Sequence, residues 1–379
     1  MTTRIGLVLT GGGARAAYQV GALRALAEIL GQRSPFQIVT GVSAGAINGC
    51  AIAARAHQFG EASHALWEMW ESLEPDSIYR TDPRSLAETG GMWIRDVAGG
   101  GRIGSTRINY LLDTAPLRQL LETNLELGQL QARYRDGSLH GCAVTATNYG
   151  TGTAMTFFDG APEIARWQRT TRLGVREPIT VDHVLASSAI PVFFPPVRLR
   201  DGFYGDGCVR MTAPLSPAIH LGADRIVAIG IRYHRSDDQT LALNQQPLVS
   251  MPSLSDIAGL LLNAVFLDSL ESDLERVQRI NRTLALILPA QGATQPLRRI
   301  PVLALRPSED LGQLAGKQYS QFPRTLRYLL AGIGATEDRG WDLISYLAFE
   351  PIYLRRLLEL GYEDTLRRRD EVVRFFAAG

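Results

Sequence analysis

The stretch "FQIVTGVSAGAINGCAIAARA" (36–56) predicts a buried strand, a sharp glycine turn and a helix of small residues. Upstream, "RIGLVLT" (4–10) is a short apolar run that stops at three glycines, and "ARAAYQVGALRALAEIL" (14–30) has apolar residues at helical spacing. A strand–helix–strand–helix order implies a right-handed parallel crossover, so both glycine turns should lie at the carboxyl edge of one sheet. Open α/β sheets bind their ligands at that edge.

The remaining apolar runs extend this pattern to an α/β fold with a mostly parallel sheet flanked by helices. Further strands are predicted at 141–149, 225–231, 283–289 and 300–306, and helices at 61–73, 115–123, 212–221, 255–281 and most of 323–376. We expect an α/β domain over 4–310 and a helical C-terminal extension over 311–379 that packs on this core. The irregular segment 76–108 is a candidate lid.

The composition excludes several classes of protein. The 379-residue chain has a net charge of +1, so no overall field favours nucleic acid. Its 3 cysteines lack C-x-x-C spacing, which argues for a reducing compartment and against a disulfide framework or a zinc site. The N-terminal apolar run is too short for a signal peptide, and no run approaches the roughly 20 apolar residues of a transmembrane helix. We therefore expect a cytoplasmic protein that needs no metal or cofactor.

The turn in the opening stretch, Gly41-Val42-Ser43-Ala44-Gly45, fits the pattern G-x-S-x-G. Its glycines leave room for a strained strand-to-helix turn that exposes a serine hydroxyl. The structural alternative is that Ser43 is only a helix N-cap. A hydroxyl is a weak nucleophile until a base removes its proton, and none of the 6 histidines is obviously placed for that task. The pattern therefore leaves the identity of the base open.

The first glycine turn, "LTGGGARAAYQVG" (9–21), has two interpretations. Gly11-x-Gly13-x-x-Ala16 fits a loose dinucleotide-binding fingerprint, but no acidic residue ends the second strand to bind a ribose. Alternatively, the backbone N–H groups of Gly12 and Gly13, beside a helix N-terminus, bind a developing oxyanion. Because a serine turn follows in the next strand–helix unit, the two turns together favour the oxyanion interpretation.

Four ordered blocks carry a family resemblance. They are "GGGARAAYQVGAL" (11–23), "GVSAGAING" (41–49), "ASSAIPVFFPPV" (186–197) and "YGDGCVRMTAPLSPAIHLGADRI" (204–226). With these blocks, and helical segments that extend the likeness to residue 366, the chain resembles the patatin-like phospholipases, a group of bacterial lipid acyl hydrolases. The resemblance implies a three-layer α/β/α catalytic domain and a serine hydrolase that acts on carboxylic esters.

The resemblance also implies a base for the serine. Proteins of this family are similar in using a serine–aspartate dyad, with the aspartate in a D-G-G or D-G-A motif, and the matching residue here is Asp206 in "GDG" (205–207). The segment "PVRLRDGFYGDG" (196–207) predicts a β-hairpin with an Asp-Gly turn, whose returning strand would present Asp206 beside Ser43. Asp206 is then expected to take the Ser43 proton and later to activate water on the acyl-enzyme.

The other site residues implied by the resemblance lie in the glycine turns. The oxyanion hole is expected from four backbone amides: Gly11, Gly12, Gly13 and Ala44. Three more glycines are expected to keep the turns tight: Gly41, Gly45 and Gly207. Arg15 stands where the family keeps an arginine thought to steady the first loop, so we expect it to be a supporting residue. The chain departs from the family at Ala16, often a glycine, and at Cys208, often another small residue.

The expected function is a lipid acyl hydrolase of the phospholipase A, lysophospholipase or carboxylesterase type. An acyltransferase that uses the same dyad and a non-catalytic lipid- or nucleotide-binding protein are the alternatives. If the site is instead a triad in the order Ser, Asp, His, its histidine is His220 or His234.

The expected partner is a lipid or acyl-ester substrate. The stripe "LISYLAFEPIYLRRLLEL" (343–360) is most simply packing between helices, with a transient membrane-surface contact as the alternative. The oligomeric state stays open, with a homodimer among the options.

Overall fold

The computed structural model describes residues 3–80, 82, 91, 110–200, 202–245, 251–286, 297–321, 327, 331, 334, 336 and 340–377. The strands in these segments are β1 (Ile5–Leu9), β2 (Ile38–Val42), β3 (Gly141–Asn148), β4 (Thr153–Gly160), β5 (Trp167–Arg169), β6 (Arg172–Arg176), β7 (Val197–Leu199), β8 (Gly202–Asp206), β9 (Arg225–Ile229) and β10 (Val302–Leu305). The candidate lid 76–108 lies mostly outside the described residues.

The described strands form one sheet in the order β10-β9-β1-β2-β3-β4-β6-β5, and the hairpin β7-β8 joins it through β3. From β10 to β3 every neighbouring pair is parallel, as the crossover pattern predicted. The pairs β3-β4, β3-β8 and β7-β8 are antiparallel. Both glycine turns, which follow β1 and β2, therefore lie at the same carboxyl edge. The mostly parallel α/β sheet is confirmed.

Helices cover both faces of this sheet. Those in the described segments are α1 (Ala17–Leu30), α2 (Ala44–Ala54), α3 (Phe59–Glu71), α4 (Pro75–Ile78), α5 (Ala115–Asn124), α6 (Leu130–Arg135), α7 (Val181–Ser187), α8 (Ser216–His220), α9 (Asp237–Asn244), α10 (Leu254–Phe266), α11 (Asp268–Ala285), α12 (Leu311–Gly316), α13 (Trp341–Leu347), α14 (Pro351–Arg367) and α15 (Arg369–Ala377). Strand β1 shows the layering, because Leu7 and Leu9 belong to one buried cluster and Val8, between them, to the other. The sheet is thus the middle layer of three.

Some predicted elements differ from the observed ones. The strand predicted at 283–289 is wrong, because residues 283–285 end helix α11 and residue 286 is its C-cap. Strands β4, β5 and β6 were not predicted. Strand β5 has only three residues, two of them exposed, so it lacks the apolar alternation that marks a strand in sequence.

The C-terminal helices pack on the core of the sheet layer. Helices α1 and α14 approach at Gly21 and Gly361, where an added Cβ would lie 2.0 Å from the carbonyl oxygens of Leu358 and Tyr18 respectively. Most apolar side chains of the stripe 343–360 are buried, so its interpretation as packing between helices is confirmed. The division into a domain over 4–310 and an extension over 311–379 stays a prediction.

The length and polarity of a helix decide whether it can cross a membrane. Within the part of the chain that the structure describes, every helix is too short or too polar to cross a bilayer.

Candidate active site

The serine turn lies between β2 and α2. Ser43 has φ 56° and ψ −134°, a conformation that non-glycine residues rarely adopt and that stores backbone strain. The turn is also tight: a Cβ on Gly41 would lie 2.3 Å from the Gly45 oxygen, and one on Gly45 would lie 2.4 Å from the Leu9 oxygen. The backbone therefore leaves no room for a side chain at either glycine of G-x-S-x-G, as the motif predicted.

The Ser43 side chain points to Asp206. Its Oγ donates a hydrogen bond to Asp206 Oδ2 at 2.5 Å, and both residues are buried. Ser43 occupies the N-cap position of helix α2, but its side chain makes no capping hydrogen bond there, so capping does not account for the hydroxyl. The structure thus brings together the two side chains that the sequence paired, across 163 positions of the chain.

Asp206 is the last residue of β8, and its surroundings hold it from three sides. The predicted hairpin is present: β7 and β8 pair with Val197 opposite Tyr204, and Asp206 itself lies opposite Ala146 of β3. The backbone N–H of Asp206 donates to the Ala189 oxygen at 2.9 Å, and Oδ1 accepts from the Cys208 N–H at 2.9 Å. One carboxylate oxygen is thereby fixed by the backbone, and the other is left for Ser43.

Burial controls the acidity of this carboxyl group. It raises the pKa of Asp206 to about 7, because desolvation outweighs the hydrogen bonds from Ser43 and Cys208, which favour the charged form. A pKa near neutrality makes both the carboxylate and the acid accessible at physiological pH. Asp206 can therefore accept a proton and return it, as a general base and acid must.

The histidines lie elsewhere. His220 stacks on Trp167 with ring centroids 4.7 Å apart, and His183 hydrogen-bonds to Glu177 and Thr180. Burial lowers the pKa of each of these two histidines to about 4. Among the described residues, no histidine hydrogen-bonds to Ser43 or Asp206. The geometry therefore favours the dyad over a triad through His220 or His234.

The first glycine turn packs directly against the serine turn. A Cβ on Gly11 would lie 2.3 Å from the Cys208 sulfur and 2.7 Å from the Ser43 Cβ, and one on Gly12 would lie 1.8 Å from the Ile231 side chain. Gly13 has φ +55° and begins the short 3-10 helix that leads into α1. The departures from the family are accommodated, because both Ala16 and Cys208 are buried beside this loop.

Arg15 ties the loop to helix α13. Although nearly buried, its guanidinium donates to Ser345 Oγ at 2.7 Å and to Asp342 Oδ1 at 2.9 Å, and it lies 4.4 Å from the centre of the Tyr346 ring. These contacts agree with the supporting position expected for it.

Ser187 contacts the serine turn, a role that no sequence motif predicted. Its Oγ accepts a hydrogen bond from the Ser43 N–H at 2.8 Å and donates to the Thr145 oxygen at 2.6 Å. It lies in the block 186–197, which contributed to the family resemblance, but its sequence carries no signal of this contact. Ser187 thus anchors the backbone of the strained turn to strand β3.

A buried network around Asn48 supports the first loop in the same way. Asn48 Nδ2 donates to the oxygens of Ala16 and of the Gln19 side chain, each at 3.1 Å, and its own Oδ1 accepts from the Trp70 ring at 2.8 Å. The only sequence signal for this network is a polar residue within the helix of small residues.

An apolar crevice opens onto Ser43. Gly13, Ser43, Ala44 and Ser188 line it together with apolar side chains that include Ile47, Met69, Trp70, Leu73, Phe194 and Phe349. Its volume is about 30 Å³. The apolar mouth predicted from residues 190–197 is present in part, through Ile190 and Phe194.

The tight packing of Gly13 leads to a test. In Gly13→Ala the new Cβ meets the Tyr346 oxygen at 2.1 Å, so the loop must move, and we expect kcat/KM for an acyl ester to fall by about 100-fold. Gly137→Ala is the matched control, because Gly137 has a similar φ of +74° but nothing within 4 Å of the new Cβ. Wild-type activity in the Gly13 variant would contradict a role for this loop.

Comparison with known proteins agrees with the resemblance. The family model of the patatin-like phospholipases matches residues 7–219. The chain belongs to the patatin-like phospholipase family. A curated relative, the cGAMP-activated phospholipase of Pseudomonas aeruginosa (strain BWHPSA011 / Pa011), is 28% identical over 215 residues, which are 55% of this chain and 53% of the relative. The match thus spans about half the length of that relative.

Two solved structures are also similar to this chain. The chain is similar to human GIVD cytosolic phospholipase A2, with 12% identity and a TM-score of 0.47 over 99% of this chain and 60% of that one. It is also similar to VipD from Legionella pneumophila, with 13% identity and a TM-score of 0.37 over 98% of this chain and 67% of that one.

Proposed function

We propose that the protein is a lipid acyl hydrolase that cleaves carboxylic esters through Ser43 and Asp206. The observation that carries this proposal is the hydrogen bond of 2.5 Å from the hydroxyl of Ser43, which lines an apolar crevice, to a buried carboxyl group. Membership of the patatin-like phospholipase family supports it. The strain at Ser43 supports it as well, since strained backbone persists where function requires it.

The reaction proceeds in two halves. Asp206 accepts the Ser43 proton as Oγ attacks the ester carbonyl carbon, and the carbonyl oxygen becomes an oxyanion held by backbone N–H groups of Gly12, Gly13 and Ala44. The proton then passes from Asp206 to the departing alcohol, which leaves an acyl group on Ser43. In the second half, Asp206 takes a proton from water, the resulting hydroxide attacks the acyl-enzyme, and the fatty acid is released as Ser43 regains its proton.

The crevice indicates the class of substrate. Its apolar walls suit an acyl chain, while a charged acyl donor would lose its hydration there without gaining partners.

A panel of esters tests the proposal. Purified protein is incubated with phospholipids, lysophospholipids, glycerides and p-nitrophenyl esters, and released fatty acids are identified by mass spectrometry. One arm adds cGAMP, because a relative is named for its activation by that molecule. We expect free fatty acid from at least one lipid class. No release from any ester, with or without cGAMP, would contradict the proposal and favour the binding protein. Greater turnover with an added acceptor alcohol, yielding its ester, would favour the acyltransferase.

The same panel includes lipid presented in vesicles. We propose that the protein meets a membrane transiently through an exposed face of α10, where Leu260 and Leu261 are 69% and 62% exposed. Leu260→Ser should then slow hydrolysis of vesicle lipid but leave hydrolysis of a dispersed p-nitrophenyl ester unchanged. An equal rate on vesicles would contradict this contact.

A further inference from the structure

Ser188 is a polar residue in the crevice to which the reaction above gives no task. It follows α7 directly, is 5% exposed, and lines the crevice together with Ser43 and Gly13. Within the described part of the chain, its Oγ has no hydrogen-bond partner. Its backbone is nevertheless well held, since its N–H donates to the Val184 oxygen at 3.0 Å.

The two neighbours of Ser188 hold the reacting pair. Ser187 accepts the hydrogen bond of the Ser43 N–H, and the Ala189 oxygen accepts that of the Asp206 N–H. One short segment is thus attached to both halves of the site, and the residue between the two attachments faces the crevice. The backbone on both sides of Ser188 is therefore attached to the reacting pair by two hydrogen bonds.

A hydroxyl in this position is unfavourable for the folded protein alone. Burying a polar group without a partner destabilises the folded state, and alanine would fit the same place with no such effect. A buried polar group without a partner in a native protein therefore calls for an explanation. Binding of a ligand to that group is one such explanation. The group that enters this crevice during the reaction is an ester, whose oxygens accept hydrogen bonds.

We propose that Ser188 binds the substrate by donating a hydrogen bond from its hydroxyl to an oxygen of the scissile ester. This inference rests on the proposed hydrolase function. The oxygen is either the carbonyl oxygen, in which case Ser188 adds a side-chain donor to the backbone amides of the oxyanion hole, or the alkoxy oxygen of the departing alcohol. Two substrates distinguish these cases.

The test compares Ser188→Ala with the wild type on two esters of the same fatty acid, a p-nitrophenyl ester and an alkyl ester. We expect kcat/KM to fall by about 10- to 100-fold while the Tm stays equal or rises, because the variant loses a contact with substrate and an unpaired buried hydroxyl. Equal losses on both esters indicate the carbonyl oxygen. A greater loss on the alkyl ester indicates the alkoxy oxygen, since p-nitrophenolate leaves without help.

Ser63→Ala is the matched control. Ser63 is also buried, but its hydroxyl donates to the Gly60 oxygen at 2.9 Å within the packed structure. We expect this variant to lower the Tm and to keep kcat/KM within about twofold of the wild type, the reverse of the Ser188 result. An active wild type with an unaffected Ser188→Ala variant, or a Ser188→Ala variant whose Tm also falls, would overturn this inference alone. A wild type that hydrolyses no ester would overturn the proposed function together with it.

Discussion

Ser43→Ala is expected to reduce ester hydrolysis by at least about 1,000-fold, because it removes the nucleophile and no other described hydroxyl is hydrogen-bonded to the Asp206 carboxyl group. The variant should fold, since alanine at φ 56° meets the same backbone strain as serine. The measurement is kcat/KM on the substrate that the ester panel identifies, with a thermal melt of both proteins as the control for folding.

Covalent labelling tests directly whether the Ser43 hydroxyl is the nucleophile. An alkyl fluorophosphonate should add one phosphonyl group to the wild type, and peptide mapping should place it on Ser43. The Ser43→Ala variant should stay unlabelled under the same conditions. A variant that keeps more than about a tenth of the activity, or that is labelled as readily as the wild type, would exclude Ser43 as the nucleophile.

Asp206→Asn is expected to lower kcat/KM by about 100- to 10,000-fold, the range for loss of a general base. The thermal stability of the variant, in contrast, is expected to rise relative to that of the wild type. Because burial raises the pKa of Asp206 to about 7, the folded protein binds this proton more tightly than the unfolded chain does. The contribution of Asp206 to the stability of the folded protein is therefore largest at low pH and is lost as the pH rises toward 7. The substituted asparagine side chain does not titrate, so the Tm difference between variant and wild type should be larger at pH 8 than at pH 4.

The same pKa predicts the pH profile of the wild type. The base must be unprotonated to act, so kcat/KM should rise with pH through a midpoint of about 7. A profile that shows no such rise would contradict the assignment of Asp206 as the base. Activity that persists in Asp206→Asn but is lost in His220→Ala or His234→Ala would establish the triad instead.

The central part of the fold could be predicted because its signals are local. Strands β1 and β2 are continuous apolar runs, and the helices that follow them have apolar residues at helical spacing. Strands β4 to β6 carried no comparable signal, since each of them leaves residues partly or fully exposed and two are five residues long or shorter. The end of α11 was mistaken for a strand because a short apolar run fits either structure.

The glycines of the site were also predictable, because their motifs can be recognised from the sequence alone, although the oxygens that exclude a Cβ at Gly13 and Gly45 belong to Tyr346 and Leu9. Gly41, Gly45 and Gly13 each have a carbonyl oxygen within 2.4 Å of where a Cβ would lie, so any other residue would displace the turn. Ser187 and Asn48 could not be found in this way. Their partners come from other elements, and serine and asparagine occur in many surroundings.

The sequence by itself therefore determined the two glycine turns and the parallel βα units that carry them, because motif spacing and apolar periodicity can be recognised along a short stretch of chain. The family resemblance added Asp206 as the partner of Ser43. Only the tertiary structure decided that the two side chains meet at 2.5 Å, that the pKa of Asp206 is raised to about 7, and that the Ser188 hydroxyl faces the crevice without a partner among the described residues. These properties depend on burial and on contacts between distant segments, which exist only when the whole chain is packed.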